Sequence, residues 1–237
     1  MLIAIDTSTT QTGLACYDQG GVLGECLWQS GRNHTAQVLP QLAMLLRHIG
    51  RSQRDLRAVA VALGPGSWSG LRVGMSIAKG LAWAGNLAII GIGTLEVLAF
   101  QHQRLLGSVY PMIRLGRGRF ATAEFCSGET WRRVSDDRNV TLAELCREVL
   151  APSQFMPLSQ SQSQVLFCGD ILGDEEAQEY LRQHLKERAC FPAATEAVRR
   201  PGVLAHLAWQ RLVAQDCDDL TRLEPRYLGE PVQARKA

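Results

Sequence analysis

The sequence contains no C-x-x-C pair, no H-x-x-x-H pair and no H-E-x-x-H motif. Its seven cysteines, Cys16, Cys26, Cys126, Cys146, Cys168, Cys190 and Cys217, are odd in number and scattered. Most have apolar neighbours, which reads as small core residues in a reducing compartment rather than a disulfide framework. The five histidines, His34, His48, His102, His184 and His206, lack metal-ligand spacing, so no metal and no cofactor is assigned. No apolar run reaches membrane length, and Met1–Ile5 enters Asp6 with neither a basic start nor a cleavage site. The expectation is a cytoplasmic chain with no membrane association. Charge of one sign is also scarce. Lys and Arg number 25 against 23 Asp and Glu, a net +2, and aromatics make up 6%. That balance gives no broad electrostatic case for nucleic acid and leaves only local patches to consider.

What is present is a 237-residue chain, 46% apolar and 20% charged, enough for one large or two modest domains. Its centre is Gly64-Pro65-Gly66-Ser67-Trp68-Ser69-Gly70-Leu71-Arg72-Val73-Gly74. This stretch follows a buried-strand pattern, Ala58–Leu63, and opens a helix predicted over 69–84. Strand, Gly-rich turn and helix is the layout that gathers backbone N–H groups at a helix N-terminus. The same residues also serve a plain capped turn, with Gly64 and Gly66 taking unusual dihedrals and Ser67 or Ser69 as cap. Gly64, Gly66 and Gly70 do not make the dinucleotide fingerprint. Lys79-Gly80 is not a Walker A loop, and Ser67 lacks the flanking glycines of a nucleophile elbow. The turn is therefore a structural centre without an assigned ligand.

The first strand is predicted over 2–6, followed by hydroxyls at Thr7-Ser8-Thr9-Thr10. Strands at 13–17 and 22–28 flank a Gln19-Gly20-Gly21 turn. A helix over 35–49 carries a stripe of Leu39, Leu42, Leu46 and Ile49, widened by Val38 and Leu45. Asn33 is its expected cap, Gly50 its stop, and Pro40 is expected near its first turn or to bend the helix there. The first half thus reads β-β-β-α-β-α, and a strand at 87–92 with a helix capped by Thr94 adds a β-α extension. Gly107 and Ser108 mark a boundary. Strands at 109–115, 120–125 and 131–134, a helix at 141–150 with a Thr141/Glu144 capping box, a strand at 165–169 and helices at 174–185 and 202–215 repeat the order. Residues 151–164 read as a Pro-, Ser- and Gln-rich loop. Two such halves, 1–106 and 107–237, imply an α/β fold of the actin/sugar-kinase/Hsp70 (ASKHA) kind, with duplicated halves and two mixed sheets facing a cleft.

Gly70, Gly74 and Ala78 recur every four residues, making a smooth stripe on the second helix, with Leu71 and Met75 beside it. Either that stripe packs on its own sheet, or it admits a helix of a partner.

The residues Ile3-Ala4-Ile5-Asp6-Thr7-Ser8, Asn33-His34-Thr35 with Val38-Leu39-Pro40, the Gly64–Gly74 stretch and Ala78-Lys79-Gly80-Leu81-Ala82 together resemble the TsaB (YeaZ) family. This family supplies the dimerisation subunit of the bacterial machinery that makes threonylcarbamoyladenosine on tRNA next to the anticodon. The likeness is strong over 1–104. It continues at Leu166-Phe167-Cys168-Gly169-Asp170 and Leu223-Glu224-Pro225-Arg226-Tyr227-Leu228. The resemblance implies a non-catalytic scaffold that pairs with catalytic TsaD, is joined by the ATPase TsaE at their junction, and reaches tRNA only through the complex. It implies that Leu39, Leu42, Leu46, Ile49, Gly70, Leu71, Gly74, Met75 and Ala78 form the partner face. An exposed apolar bundle face also leaves room for a homodimer of the isolated chain. Asp6, Thr7, Ser8, Gly64, Gly66 and Ser67 are the expected vestige of a phosphate loop. An ATP-cleaving member of the fold needs a glycine two residues after the first carboxylate, where this chain has Ser8. Arg114 stands where the family often keeps Asp, and a cation there cannot hold magnesium. The alternative reading is a free-standing small-molecule kinase or ATPase. A peptidase, suggested by the family's older label, finds no metal pair or oriented nucleophile. Arg114, Arg117, Arg119, Arg132 and Arg133 read as a solvated basic strand face, with tRNA phosphate contact as the sharper alternative.

Overall fold

The computed structural model describes residues 1–31, 33–105, 107–127, 130–151 and 164–228. Most of the loop expected at 151–164 lies outside these residues. Five strands form the first sheet: β1 (Leu2–Asp6), β2 (Gln11–Asp18), β3 (Gly21–Gln29), β4 (Ala58–Ala62) and β5 (Ala88–Ile92). Their spatial order is β3-β2-β1-β4-β5, with β1 antiparallel to β2 and parallel to β4. The helices α1 (His34–His48) and α2 (Trp68–Gly85) cover one face, and α3 (Thr94–Phe100) leads out of the sheet.

The second half repeats this order. Its strands are β6 (Gly107–Gly116), β7 (Arg119–Thr122), β8 (Phe125–Ser127), β9 (Arg132–Arg133), β10 (Arg138–Thr141), β11 (Val165–Gly169) and β12 (Ala189–Cys190). The path β10-β7-β6-β11-β12 matches that of the first sheet, and β11 runs parallel to both β6 and β12. Both sheets are therefore mixed. The helices are α4 (Leu142–Leu150), α5 (Glu175–Leu185) and α6 (Pro201–Val213).

Period-two patterning explains the layers of the first sheet. Ile3, Ile5, Val59, Val61 and Leu63 point to α1 and α2, where Val38, Leu42, Leu46, Met75, Ala78 and Ala82 meet them. Leu2, Ala4, Ala58, Ala60 and Ala62 point the other way, onto Leu204, Ala205, Leu207 and Ala208 of α6. The alanines on that face let α6 lie close to the sheet. The last helix of the second half thus covers the first sheet. Conversely, Leu95, Leu98 and Ala99 of α3 pack on Val109, Ile113, Leu166 and Cys168 of the second sheet. A cut at 106/107 follows the sequence repeat, but each half lends a helix to the other sheet.

Local expectations fail where a tertiary contact competes. Gly93, not Thr94, is the N-cap of α3, because the Thr94 hydroxyl accepts from Gly64 N–H at 3.1 Å. Asn33 makes no side-chain cap bond, and Pro40 lies well inside α1, past the first turn, without ending it. The strand expected at 120–125 stops at Thr122 and a separate strand starts at Phe125, while β10 precedes α4. The capping box of α4 is present: Glu144 N–H donates to Thr141 Oγ1 at 3.2 Å, and Thr141 N–H donates to Glu144 Oε2 at 2.7 Å. Thr141→Ala is expected to cost about 1 kcal/mol, lowering the urea midpoint with an unchanged m-value in equilibrium unfolding.

A filled cradle as the candidate functional site

β1 ends in Asp6, and the turn into β2 carries Thr7, Ser8 and Thr9. Ser8 N–H and Ser8 Oγ both donate to Asp6 Oδ1, at 2.8 and 2.6 Å. On the other oxygen, Arg199 Nε donates to Asp6 Oδ2 at 3.3 Å. Both side chains are 4% exposed. Arg199, two residues before α6, also donates to Thr9 Oγ1 and lies 3.9 Å from Asp170 Oδ1. Asp170 follows β11 and accepts from Arg114 N–H at 3.0 Å, while the Arg114 guanidinium pairs with Asp174. A polar chain, Asp6–Arg199–Asp170 and, through the Arg114 backbone N–H, on to the Arg114–Asp174 pair, therefore runs between the ends of β1 and β6 across the two halves. Every carboxylate in it already has a cation or an N–H donor.

The Gly-rich turn closes the other side. Ser67 N–H donates to Ser8 C=O at 2.6 Å, and Thr7 Oγ1 donates to Gly70 C=O at 2.7 Å. A Cβ at Gly66 would collide with Ser8 C=O, and one at Gly70 with Thr7 C=O. These glycines bring the α2 N-terminus directly onto the β1–β2 turn. Gly64 has φ +104°, and a Cβ there would lie 2.6 Å from Arg226 C=O. It thus admits the C-terminal segment, whose Arg226 N–H donates to Leu63 C=O at 2.7 Å. Ser67 caps α2, accepting from Gly70 N–H at 3.3 Å. The structure brings all six expected loop residues together, but against protein atoms rather than around a space.

A family model, TsaD (tRNA N6-adenosine threonylcarbamoyltransferase), matches residues 10–231 of this chain. The chain is 28% identical over 229 residues to the tRNA threonylcarbamoyladenosine biosynthesis protein TsaB of Bacillus subtilis, spanning 96% of this chain and 93% of that protein. It is 38% identical over 98 residues to TsaB of Escherichia coli, 41% of this chain and 42% of that protein. The fold matches that of YeaZ from Pseudomonas aeruginosa at a TM-score of 0.73 and 18% identity, over 96% of this chain and 99% of that one. The chain belongs to the TsaD family and, within it, to the TsaB (YeaZ) group.

Most residues of the expected partner face are turned into the chain's own core. Leu42, Leu46, Leu71, Met75 and Ala78 are buried in the chain's own core, with Gly70 and Gly74. The small stripe of α2 faces the β1–β2 turn and β4, since a Cβ at Gly74 would collide with Thr7 Oγ1 and touch Val61. A Gly74→Leu or Ala78→Arg change strikes this core rather than a partner contact. Ile49 is half-buried and, with Leu45, leans on Gly24 of β3. Of the nine residues, Leu39 is exposed, at 48%. Periodicity marks which residues share a face, but both a core stripe and an interface stripe satisfy it, and the sheet's need for cover decides. The exposed apolar residues on these helices are Leu39 and Met44 of α1 and Trp68 and Trp83 of α2, the last 76% exposed.

The basic stretch is mostly neutralised. Arg119 pairs with Glu144 and bonds Asn139, Arg133 pairs with Asp137, and Arg114 with Asp174. Arg117 and Arg132 are exposed. Arg199 escaped the sequence reading because its carboxylate partner lies 193 residues away; the Arg199-Arg200-Pro201 run before a helix was its only local mark.

Removing one partner of a buried charge pair leaves the other uncompensated. Arg199→Met is therefore expected to cost about 3–5 kcal/mol in urea unfolding, and Asp6→Asn in the Arg199→Met background to restore part of it. Additive losses below about 1 kcal/mol each would show that the pair does not anchor the cradle.

Proposed function

We propose that this chain is the non-catalytic partner subunit of the machinery that forms threonylcarbamoyladenosine on tRNA, pairing with and stabilising catalytic TsaD in the cytoplasm. TsaE joins at the junction of the two, and tRNA is engaged through the complex. The observation that carries this reading is the burial of the Arg199 guanidinium on Asp6. A kinase or ATPase of this architecture needs that carboxylate and the adjoining backbone free for a phosphate and its magnesium. Here they hold an internal cation and a closely packed turn, which argues against the free-standing kinase or ATPase. Family membership supplies the reaction context, since the named TsaB relatives serve tRNA threonylcarbamoyladenosine biosynthesis.

The proposed partner face is the exposed side of α1 and α2, with Leu39, Met44 and Trp83 as apolar contacts. Exposed large apolar residues on two packed helices can supply the apolar part of an interface. The isolated chain would use the same face for a homodimer.

Size-exclusion chromatography with light scattering, on the chain mixed with TsaD of the same cell, is expected to give a heterodimer. Leu39→Glu is expected to weaken that heterodimer at least tenfold and keep a wild-type unfolding midpoint. Leu46→Glu, at 3% exposure, is expected to lower stability by more than about 3 kcal/mol. Undiminished pairing by a folded Leu39→Glu chain would remove this face from the proposal.

A further inference from the structure

At the α2 N-terminus, on the side away from Val73 and Ile77, an aromatic platform stands open to solvent. Trp68 is 59% exposed and Tyr227 43%, with ring centroids 6.1 Å apart at 38°. Arg72, one turn after Trp68, lays its guanidinium carbon 4.4 Å from the Trp68 ring centroid. The sequence positions make this deliberate architecture rather than scattered exposure. Trp68 and Arg72 are i and i+4 on one helix face, and Ile77 lies about 140° further round the helix. Tyr227 comes from the C-terminal segment that Gly64 admits, 159 residues later in the chain than Trp68. Two distant segments thus converge on one exposed surface.

One cation there lacks a carboxylate partner: Arg72 is exposed and forms no salt bridge among the described residues, whereas most arginines of the second half do. Arg226, also exposed, directs its charge toward the half-buried Glu96. The neighbouring groove, about 500 Å³ and lined by Arg211, Asp218, Asp219, Arg222, Glu224 and Arg226, is charge-balanced. Arg211 is held by Asp216 and Asp218, so that groove offers no net field for an anion.

From this convergence we infer that Trp68, Tyr227 and Arg72 form a stacking site for unpaired bases of RNA, with Arg72 meeting the adjoining phosphate. Aromatic faces stack on any base, and guanidinium groups both stack and neutralise phosphate. An apolar protein partner would fit the rings equally well, but it gives no use to the exposed Arg72 lying on the Trp68 ring. The inference rests on the tRNA-modification reading and adds to it a direct RNA contact made by this subunit itself.

The test is fluorescence anisotropy of a labelled 12-nucleotide single-stranded RNA titrated with the full chain at low and moderate salt. Wild type is expected to bind, with affinity falling as salt rises. Trp68→Ala and Tyr227→Ala are each expected to raise Kd at least fivefold, while Trp68→Phe keeps most of the affinity. Arg72→Ala is expected to lower both the affinity and the slope of log K against log salt. Leu39→Glu is expected to leave RNA binding unchanged. Urea midpoints of all variants are measured, and Trp68→Gln stands in if Trp68→Ala falls below wild-type stability. Absence of RNA binding by wild type, or a Trp68→Ala chain that binds as wild type does, overturns the inference. Loss of TsaD pairing in Trp68→Ala with RNA binding intact overturns it too, and assigns the platform to a protein contact. TsaD pairing is scored separately, so an RNA failure with pairing intact leaves the partner reading standing.

Discussion

The buried pair of Asp6 and Arg199 joins the parts of this molecule that the sequence keeps furthest apart. Asp6 closes the first strand and Arg199 precedes the last helix, and both side chains are almost wholly removed from water. A buried charge pair is costly to form and harmful to break, so its surroundings must be fixed in both halves. Ser8 satisfies one carboxylate oxygen, Thr9 takes a guanidinium N–H, and Asp170 of the second half stands beside the same guanidinium. The pair therefore holds α6 in place over the Leu2 and Ala4 face of β1. It also fills the place from which a nucleotide-handling member of this architecture would work.

Seen from the cradle, the glycines have one shared purpose. Gly66 and Gly70 let the α2 N-terminus touch the β1–β2 turn backbone, and Gly64 lets the C-terminal segment lie across the turn. In the proposed reading, function lies on the exposed faces of α1 and α2 and on the rim formed with residues 223–228, while the cleft serves as a structural joint.

Much of the fold is legible in the sequence because it rests on local periodicity. The apolar runs at 2–6 and 58–63, the Leu42/Leu46 stripe and the Thr141 capping box are each read from local composition and spacing. The repeat of β-β-β-α-β-α in two halves follows from their order. The exchange of α3 and α6 between sheets does not, because helix amphipathicity names no partner. Nor does the assignment of Gly70, Gly74 and Ala78 to the chain's own core. Small residues permit close approach to whatever lies opposite, and only the position of Thr7 reveals that this is the β1–β2 turn. For the site, Asp6, Thr7 and Ser8 were visible as a motif, whereas Arg199 carries no local signature.

In the proposed reading the chain fills its own nucleotide cradle and acts through its surfaces. Isothermal titration of magnesium-ATP into the isolated, folded chain is then expected to show no saturable binding up to about 1 mM ATP. A one-to-one complex with a Kd in the micromolar range would contradict it, because Asp6 and the Gly-rich turn cannot receive a phosphate while Arg199 and Ser8 occupy them.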